Sequence, residues 1–251
     1  MPKLMPTDSN ELFSVAGPGN FQFSAIRIDH LGASEYTLVT VVCDITGSVS
    51  GFSTDLLKMI KAVAAACKKN PRAENLLLRV TLFNNDIGIE EIHGFKLLSE
   101  IDPDKDYKQL YPSGTTPLYD ATYDAIGATL TYSKQLRTQD FDVNGCIYII
   151  TDGDDNASKM KTKHIKDQID NATQKETIES LITILVGINV NDPGMRSMLD
   201  KFHIEANLTQ YVDAGSATPQ RLAKLANFVS QSISSQSQAL GTGMPSQKLV
   251  F

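Results

Sequence analysis

Tryptophan is absent, and histidine occurs four times and cysteine three times in 251 residues, with no C-x-x-C pair. Thiol and imidazole clusters make zinc sites, and closely spaced even sets of cysteines make disulfide scaffolds, so neither is expected. Cys43 and Cys146 lie in apolar strand-like runs and Cys67 on the apolar stripe of a helix, as buried thiols in a reducing compartment do. No stretch reaches the roughly 20 apolar residues of a membrane span. The N-terminal MPKLMPTDSNELF lacks the apolar centre of a secretory signal, so a cytoplasmic protein with no membrane partner is expected. A basic surplus is missing too: 23 Lys and Arg against 29 Asp and Glu leave a net charge of −6. Such a chain has little with which to hold a phosphate backbone, and nucleic acid is not an expected partner. The phosphate-gripping G-x-x-x-x-G-K-[ST] pattern does not occur, and GSVSG at residues 47–51 places Val49 where a nucleophile elbow needs serine.

What is present is an alternation of apolar strands and amphipathic helices. Tyr36 to Asp44 reads as a buried parallel strand, followed by a helix from about Ser53 to Lys69 whose Leu56, Ile60, Val63 and Cys67 share one face. Leu76 to Phe83, Gly145 to Ile150, Leu181 to Ile188 and Gln210 to Asp213 read as further strands. Phe21 to Ile28 suits an edge strand, and Ile87 to Leu98 a polar excursion at the sheet edge. Helices are expected from about Pro117 to Leu136, His164 to Ile178 and Thr218 to Ser232. The economical architecture is a doubly wound, Rossmann-like α/β domain over residues 20–232: a mostly parallel six-stranded sheet with one antiparallel edge strand and helices on both faces. Residues 1–19 are expected to be loose. Residues 233–251 form a Ser/Gln-rich tail, either disordered or closing with Leu249, Val250 and Phe251 as a docking peptide.

Three loops at the carboxyl ends of these strands, where α/β sheets collect ligands, carry oxygen-bearing side chains: Asp44-Ile45-Thr46-Gly47-Ser48, Ser113-Gly114-Thr115-Thr116-Pro117 and Thr151-Asp152-Gly153. Taken singly, each has a plain role: Ser48, Ser50, Ser53 and Thr116 as helix caps, Asp44 and Asp152 as turn acids. Together, in this order, DITGS resembles the D-x-S/T-x-S signature of von Willebrand factor A domains, GTTPLYDA their threonine loop and ITDG their aspartate loop. The likeness covers about residues 36 to 230. It implies a metal-ion-dependent adhesion site with Asp44, Thr46, Ser48, Thr116 and Asp152 as ligands, Mg²⁺ (or Mn²⁺ or Ca²⁺) as cofactor, and protein binding rather than catalysis. The doubled threonine leaves one residue of ambiguity; Thr116 is preferred because it directly precedes Pro117-Leu118. Stand-alone bacterial members of this family often work beside AAA+ ATPases, kinases or phosphatases in stress-response or phage-related gene clusters.

The chemistry agrees with the implied ligands. A hard cation takes about six oxygens and keeps waters readily, and two carboxylates with three hydroxyls leave room for an acidic side chain from outside. Competing chemistries fail on spacing. Asp152, Asp154 and Asn156 imitate an EF-hand loop, but Ala157 replaces its glycine and Lys163 its bidentate glutamate, so Asp154 and Asp155 are expected as a solvated acidic rim. A haloacid-dehalogenase-type phosphoryl transferase would need an aspartate at Thr46. Two alternatives stay open: a metal-dependent hydrolase using Asp154 or Asp155 as base, and a scaffold with a vestigial metal site that binds through its tail.

Overall fold

A computed structural model describes residues 9–15, 17–244 and 249–251. The rest of the expected loose N-terminus and of the tail, residues 1–8, 16 and 245–248, lies outside the described residues. In chain order the elements are β1 (Asn10–Ser14), β2 (Gln22–Ile26), β3 (Glu35–Asp44), α1 (Ser53–Lys68), β4 (Leu76–Asn84), β5 (Gly88–Leu97), α2 (Pro103–Asp106), α3 (Leu118–Arg137), β6 (Asp142–Thr151), α4 (Thr162–Gln174), β7 (Ser180–Ile188), α5 (Pro193–Glu205), β8 (Gln210–Gly215) and α6 (Pro219–Thr242).

The doubly wound α/β architecture is observed, in a wider sheet than expected: eight strands in the order β1-β2-β5-β4-β3-β6-β7-β8. Strands β4, β3, β6, β7 and β8 are parallel. Antiparallel pairing joins β1 to β2 and β4 to β5, so there is more than the one antiparallel edge strand expected. Strand β3 is central and almost wholly buried, which is why it reads as a largely apolar run broken only by Thr37 and Thr40 between Tyr36 and Cys43. Its side chains alternate between two cores. Val39, Val41 and Cys43 meet α1 and α6, whereas Leu38 and Val42 meet α3. The chain runs outward from β3 to β4 and later crosses back to β6, so strand order reverses between β3 and β6. Cys43 and Ile150 face each other there, which brings the ends of both strands, and the motifs that follow them, side by side.

The ends of the chain differ from expectation. Within the segment expected to be loose, residues 10–14 form β1, because Phe13 stacks on Phe23 at 5.3 Å and tilts against Tyr132 at 5.7 Å. Five residues flanked by Gly and Pro give too short a pattern to read locally; the strand rests on those non-local rings. Helix α6 also runs on past Ser232 to Thr242 and closes on Gly243, whose φ of 64° supplies the left-handed turn. Ile233, Gln236, Ser237 and Ala239 are buried along this extension. Small serines and a Gln carbonyl accept from Arg72 and Asn144, so a composition that suits disorder here packs against neighbours.

Of the tail, Leu249 and Phe251 pack on the same core. The Phe251 ring stands edge-on to Phe228 at 5.5 Å with Lys224 Nζ 4.3 Å from its centroid, and Gln210 Nε2 donates to the Leu249 carbonyl at 3.1 Å. An aromatic pair and a partly exposed cation–π contact each contribute about 0.5–1.5 kcal/mol. Phe251→Ala is therefore expected to lower stability by about 1–2 kcal/mol in urea titration; an unchanged midpoint would show that this docking is not held in solution.

Candidate metal centre

Asp44 ends β3 with its carboxyl buried. One carboxyl oxygen accepts from the Thr46 backbone N–H at 2.8 Å and the other from the Thr151 hydroxyl of β6 at 2.7 Å. The Thr46 hydroxyl lies 3.1 Å from that of Ser48, which donates to Asp152 Oδ1 at 2.8 Å. Four of the five expected ligands therefore form one continuous cluster, buried at Asp44 and Thr46 and open to solvent at Ser48. The fifth, Thr116, is buried, and its Oγ1 lies 4.0 Å from where a Cβ on Gly153 would stand. Thr115 is exposed and its carbonyl is taken by the Asn85 N–H. The doubled threonine is thus split by the fold, with Thr116 turned to the third loop and Thr115 to the β4–β5 turn.

The first and second loops are laced together by their backbones. Ser113 N–H donates to the Ile45 carbonyl at 3.1 Å and Gly47 N–H to the Gly114 carbonyl at 3.2 Å. Gly114 has a φ of 67°, and a Cβ there would stand 3.0 Å from the Asp86 carboxyl, so glycine is required twice over. Asn84, buried at the end of β4, donates to the Ile45 carbonyl and to Ser113 Oγ, both at 3.2 Å.

The plain capping roles are not taken up. Helix α1 starts at Ser53 after a short 3-10 turn with no side-chain cap, and α3 has none from its N-cap residue Pro117. Ser48 instead serves Asp152. Of the two acids expected as a solvated rim, Asp155 is half-buried and accepts the Tyr119 N–H at 3.3 Å. Thr151 and Asn156 also belong to this region, though neither is among the expected ligands. Thr151 was visible inside the third motif, but its partner Asp44 is set by strand pairing, and Asn156 was legible only as a failed EF-hand position.

No cationic side chain among the described residues neutralises the cluster. Burial pushes the Asp44 carboxyl up to about 6, against the hydrogen bonds from Thr151 and Thr46 that pull it down, and the Asp152 charge adds to the rise. Burial raises Asp152 as well, offset by the Ser48 hydroxyl. Neither acid enters an ion pair with a described residue. Two converging carboxylates without a counter-charge are costly in a low-dielectric setting, and an all-oxygen donor set fits a hard divalent cation. Among the described residues no group of three or more His, Cys, Asp or Glu side chains is placed to hold a metal, so any centre here is one of few carboxylates and several hydroxyls. His93 is not part of it: it is buried between the Tyr107 hydroxyl and the Gly94 carbonyl, both at 2.9 Å, and burial lowers it to about 4.

No family model matches the sequence, and no curated protein matches it. Solved structures do. The PilB minor pilin from Streptococcus sanguinis aligns with a TM-score of 0.57 at 15% identity, covering 90% of this chain and 67% of that one. Proximal thread matrix protein 1 from the mussel byssus aligns at 0.52 and 13% identity, covering 80% and 47%. The pilus adhesin SpaC from Lactobacillus rhamnosus GG, in its open conformation, aligns at 0.52 and 10% identity, covering 81% and 30%. The aligned part is about half the length of the mussel protein and less than a third of the adhesin. At these identities the likeness is one of fold, and the fold of this chain is von Willebrand factor A-like.

Proposed function

We propose that this chain is a divalent-cation-dependent protein-binding module. Asp44, Thr46, Ser48, Thr116 and Asp152 would hold Mg²⁺, or Mn²⁺ or Ca²⁺ in its place, and the site would capture an acidic residue of a partner. The observation that carries this reading is the pair of carboxylates, Asp44 and Asp152, bonded to hydroxyls and to no cationic side chain at the strand-order reversal. When bound, the cation supplies a Lewis-acidic position for a carboxylate oxygen. The residues do the rest. The Thr46 N–H and Thr151 hydroxyl fix the Asp44 oxygens, Ser48 orients Asp152, and the exposed side at Ser48 leaves the approach open.

Binding rather than turnover is supported by the commitments of one candidate base. Asp155, one of the two local candidates, accepts the Tyr119 N–H and a Ser158 hydrogen bond. The proteins that share the fold are named as a minor pilin, a pilus adhesin and a thread matrix protein. The partner is proposed to be a protein offering an acidic residue; an AAA+ ATPase, kinase or phosphatase is the class the family resemblance suggests. Among the described residues no helix is long and apolar enough to cross a membrane. The test is affinity capture on the immobilised chain with Mg²⁺, with EDTA, and with an Asp44→Ala variant. A partner retained in Mg²⁺ and lost in both other arms is expected, and one retained equally in excess EDTA would overturn the proposal.

A further inference from the structure

Thr116 is the proposed ligand whose place the site's own side chains explain least. Its neighbours in the cluster hold one another through hydroxyl and carboxyl bonds, whereas its position is set through its backbone. Asn156, four residues beyond Asp152, grips that backbone twice: its Oδ1 accepts the Thr116 N–H at 2.7 Å, and its own N–H donates to the Thr116 carbonyl at 3.0 Å. The grip belongs to a strap. Beside it, Asp155 accepts the Tyr119 N–H and Ser158 Oγ accepts the Asp120 N–H at 2.9 Å. In return, Asp120 Oδ1 accepts the N–H groups of Lys159 at 3.0 Å and Met160 at 2.7 Å.

Residues 155–160 thus cap α3 from outside, in place of a side chain at its own N-cap. Asn156 ties the second loop to the segment that follows the third. The Asn156 residue itself is exposed, so it fills no core.

We infer that Asn156 is a positioning residue of the metal centre, holding Thr116 in register with Asp152. This rests on the metal reading proposed above. Residues that orient a metal's ligands typically change its affinity 10- to 100-fold when removed, so Asn156→Ala is expected to weaken divalent-cation binding by about tenfold or more. Asn156→Asp keeps the acceptor and is expected to retain binding. It also adds a charge, so the control is Asn156→Ala combined with Ala157→Asp, which adds the same charge without the acceptor at position 156 and is expected to stay weak.

The probe is Mn²⁺ alone, followed by the electron paramagnetic resonance signal of the free ion, with thermal unfolding in EDTA recorded for every variant. Weakened Mn²⁺ binding by Asn156→Ala, recovery with Asn156→Asp, and similar EDTA melts for all variants would support the inference. Natural-strength binding by Asn156→Ala would overturn it and leave the metal reading intact. Recovery in the double variant would overturn it in favour of a charge effect, and an EDTA melt collapsing in step with affinity would assign Asn156 a merely structural role. If the natural chain binds no Mn²⁺, or Asp44→Ala binds it equally well, the metal reading itself fails and this inference with it.

Discussion

Asp44→Asn is expected to melt at a higher temperature than the natural chain in EDTA at pH 7, and to lack the further rise that millimolar Mg²⁺ is expected to give the natural chain. The reason lies in an uncompensated buried charge. Burial holds the Asp44 carboxyl at about 6, above the roughly 3.9 of an unfolded aspartate. Between those two values the folded state binds more protons than the unfolded one, so metal-free stability falls as pH rises through about 4 to 6, and the full cost is present above that window. Two pH units of displacement correspond to about 3 kcal/mol.

The Asn side chain keeps an acceptor for the Thr46 N–H and can donate to the Thr151 oxygen, so most of the local bonding survives without the charge. A gain of about 1–2 kcal/mol, or roughly 4 °C for a chain of this size, is expected by calorimetry. A divalent cation would relieve the same cost in the natural chain, which is why stabilisation and loss of metal response should arrive together. An Asn variant that melts below the natural chain in EDTA at pH 7 would mean that the Asp44 charge is already balanced, and would remove the main support for a cation site.

Arg79→Met is expected to cost about 3–5 kcal/mol. Arg79 is fully buried on β4, where Nε donates to Glu91 at 2.7 Å and Nη2 to Asp124 of α3 at 2.8 Å. Removing the guanidinium leaves two carboxylates in the core with no cation. Glu91 has a second duty: its Oε2 accepts from the backbone and hydroxyl of Ser24 at 3.0 and 2.8 Å. That helps tie β2 to β5, strands whose ladder consists of the Ala25–Phe95 pairing. Gly94 allows the approach, since a Cβ there would stand 1.8 Å from the Ser24 carbonyl oxygen.

Faster amide exchange in β1 and β2 should therefore accompany the loss in urea-measured stability. Neutralising all three groups, with Arg79→Met, Glu91→Gln and Asp124→Asn together, should recover much of it. A single-variant loss below about 1 kcal/mol would show that the triad is not the anchor of this edge.

In a strand such as β3 the period of two sorts side chains onto opposite faces, so Val41 and Val42 belong to different cores before any tertiary contact is known. The same local rules place Asp44 and Asp152 at the ends of parallel strands and Pro117 at the start of a helix. That is enough to read the doubly wound architecture and three oxygen-bearing loops; the five candidate ligands come from the resemblance of those loops to von Willebrand factor A motifs. The local rules are not enough for Arg79, which interrupts the apolar run LLLRVTLF and gains its partners from β5 and α3, nor for β1, which rests on Phe23 and Tyr132.

The amino-acid sequence by itself determined most of the element order, the buried faces of the central elements and the three loops that carry oxygen-bearing side chains, because these depend on residues within a few positions of one another. Only the tertiary structure decided which polar groups meet. Thr151 reaches Asp44 across 107 residues because β6 lies beside β3. Asn156 reaches Thr116 across 40 because the third loop folds back over α3. Long-range pairings of this kind are fixed by strand order and loop path, which no local period encodes.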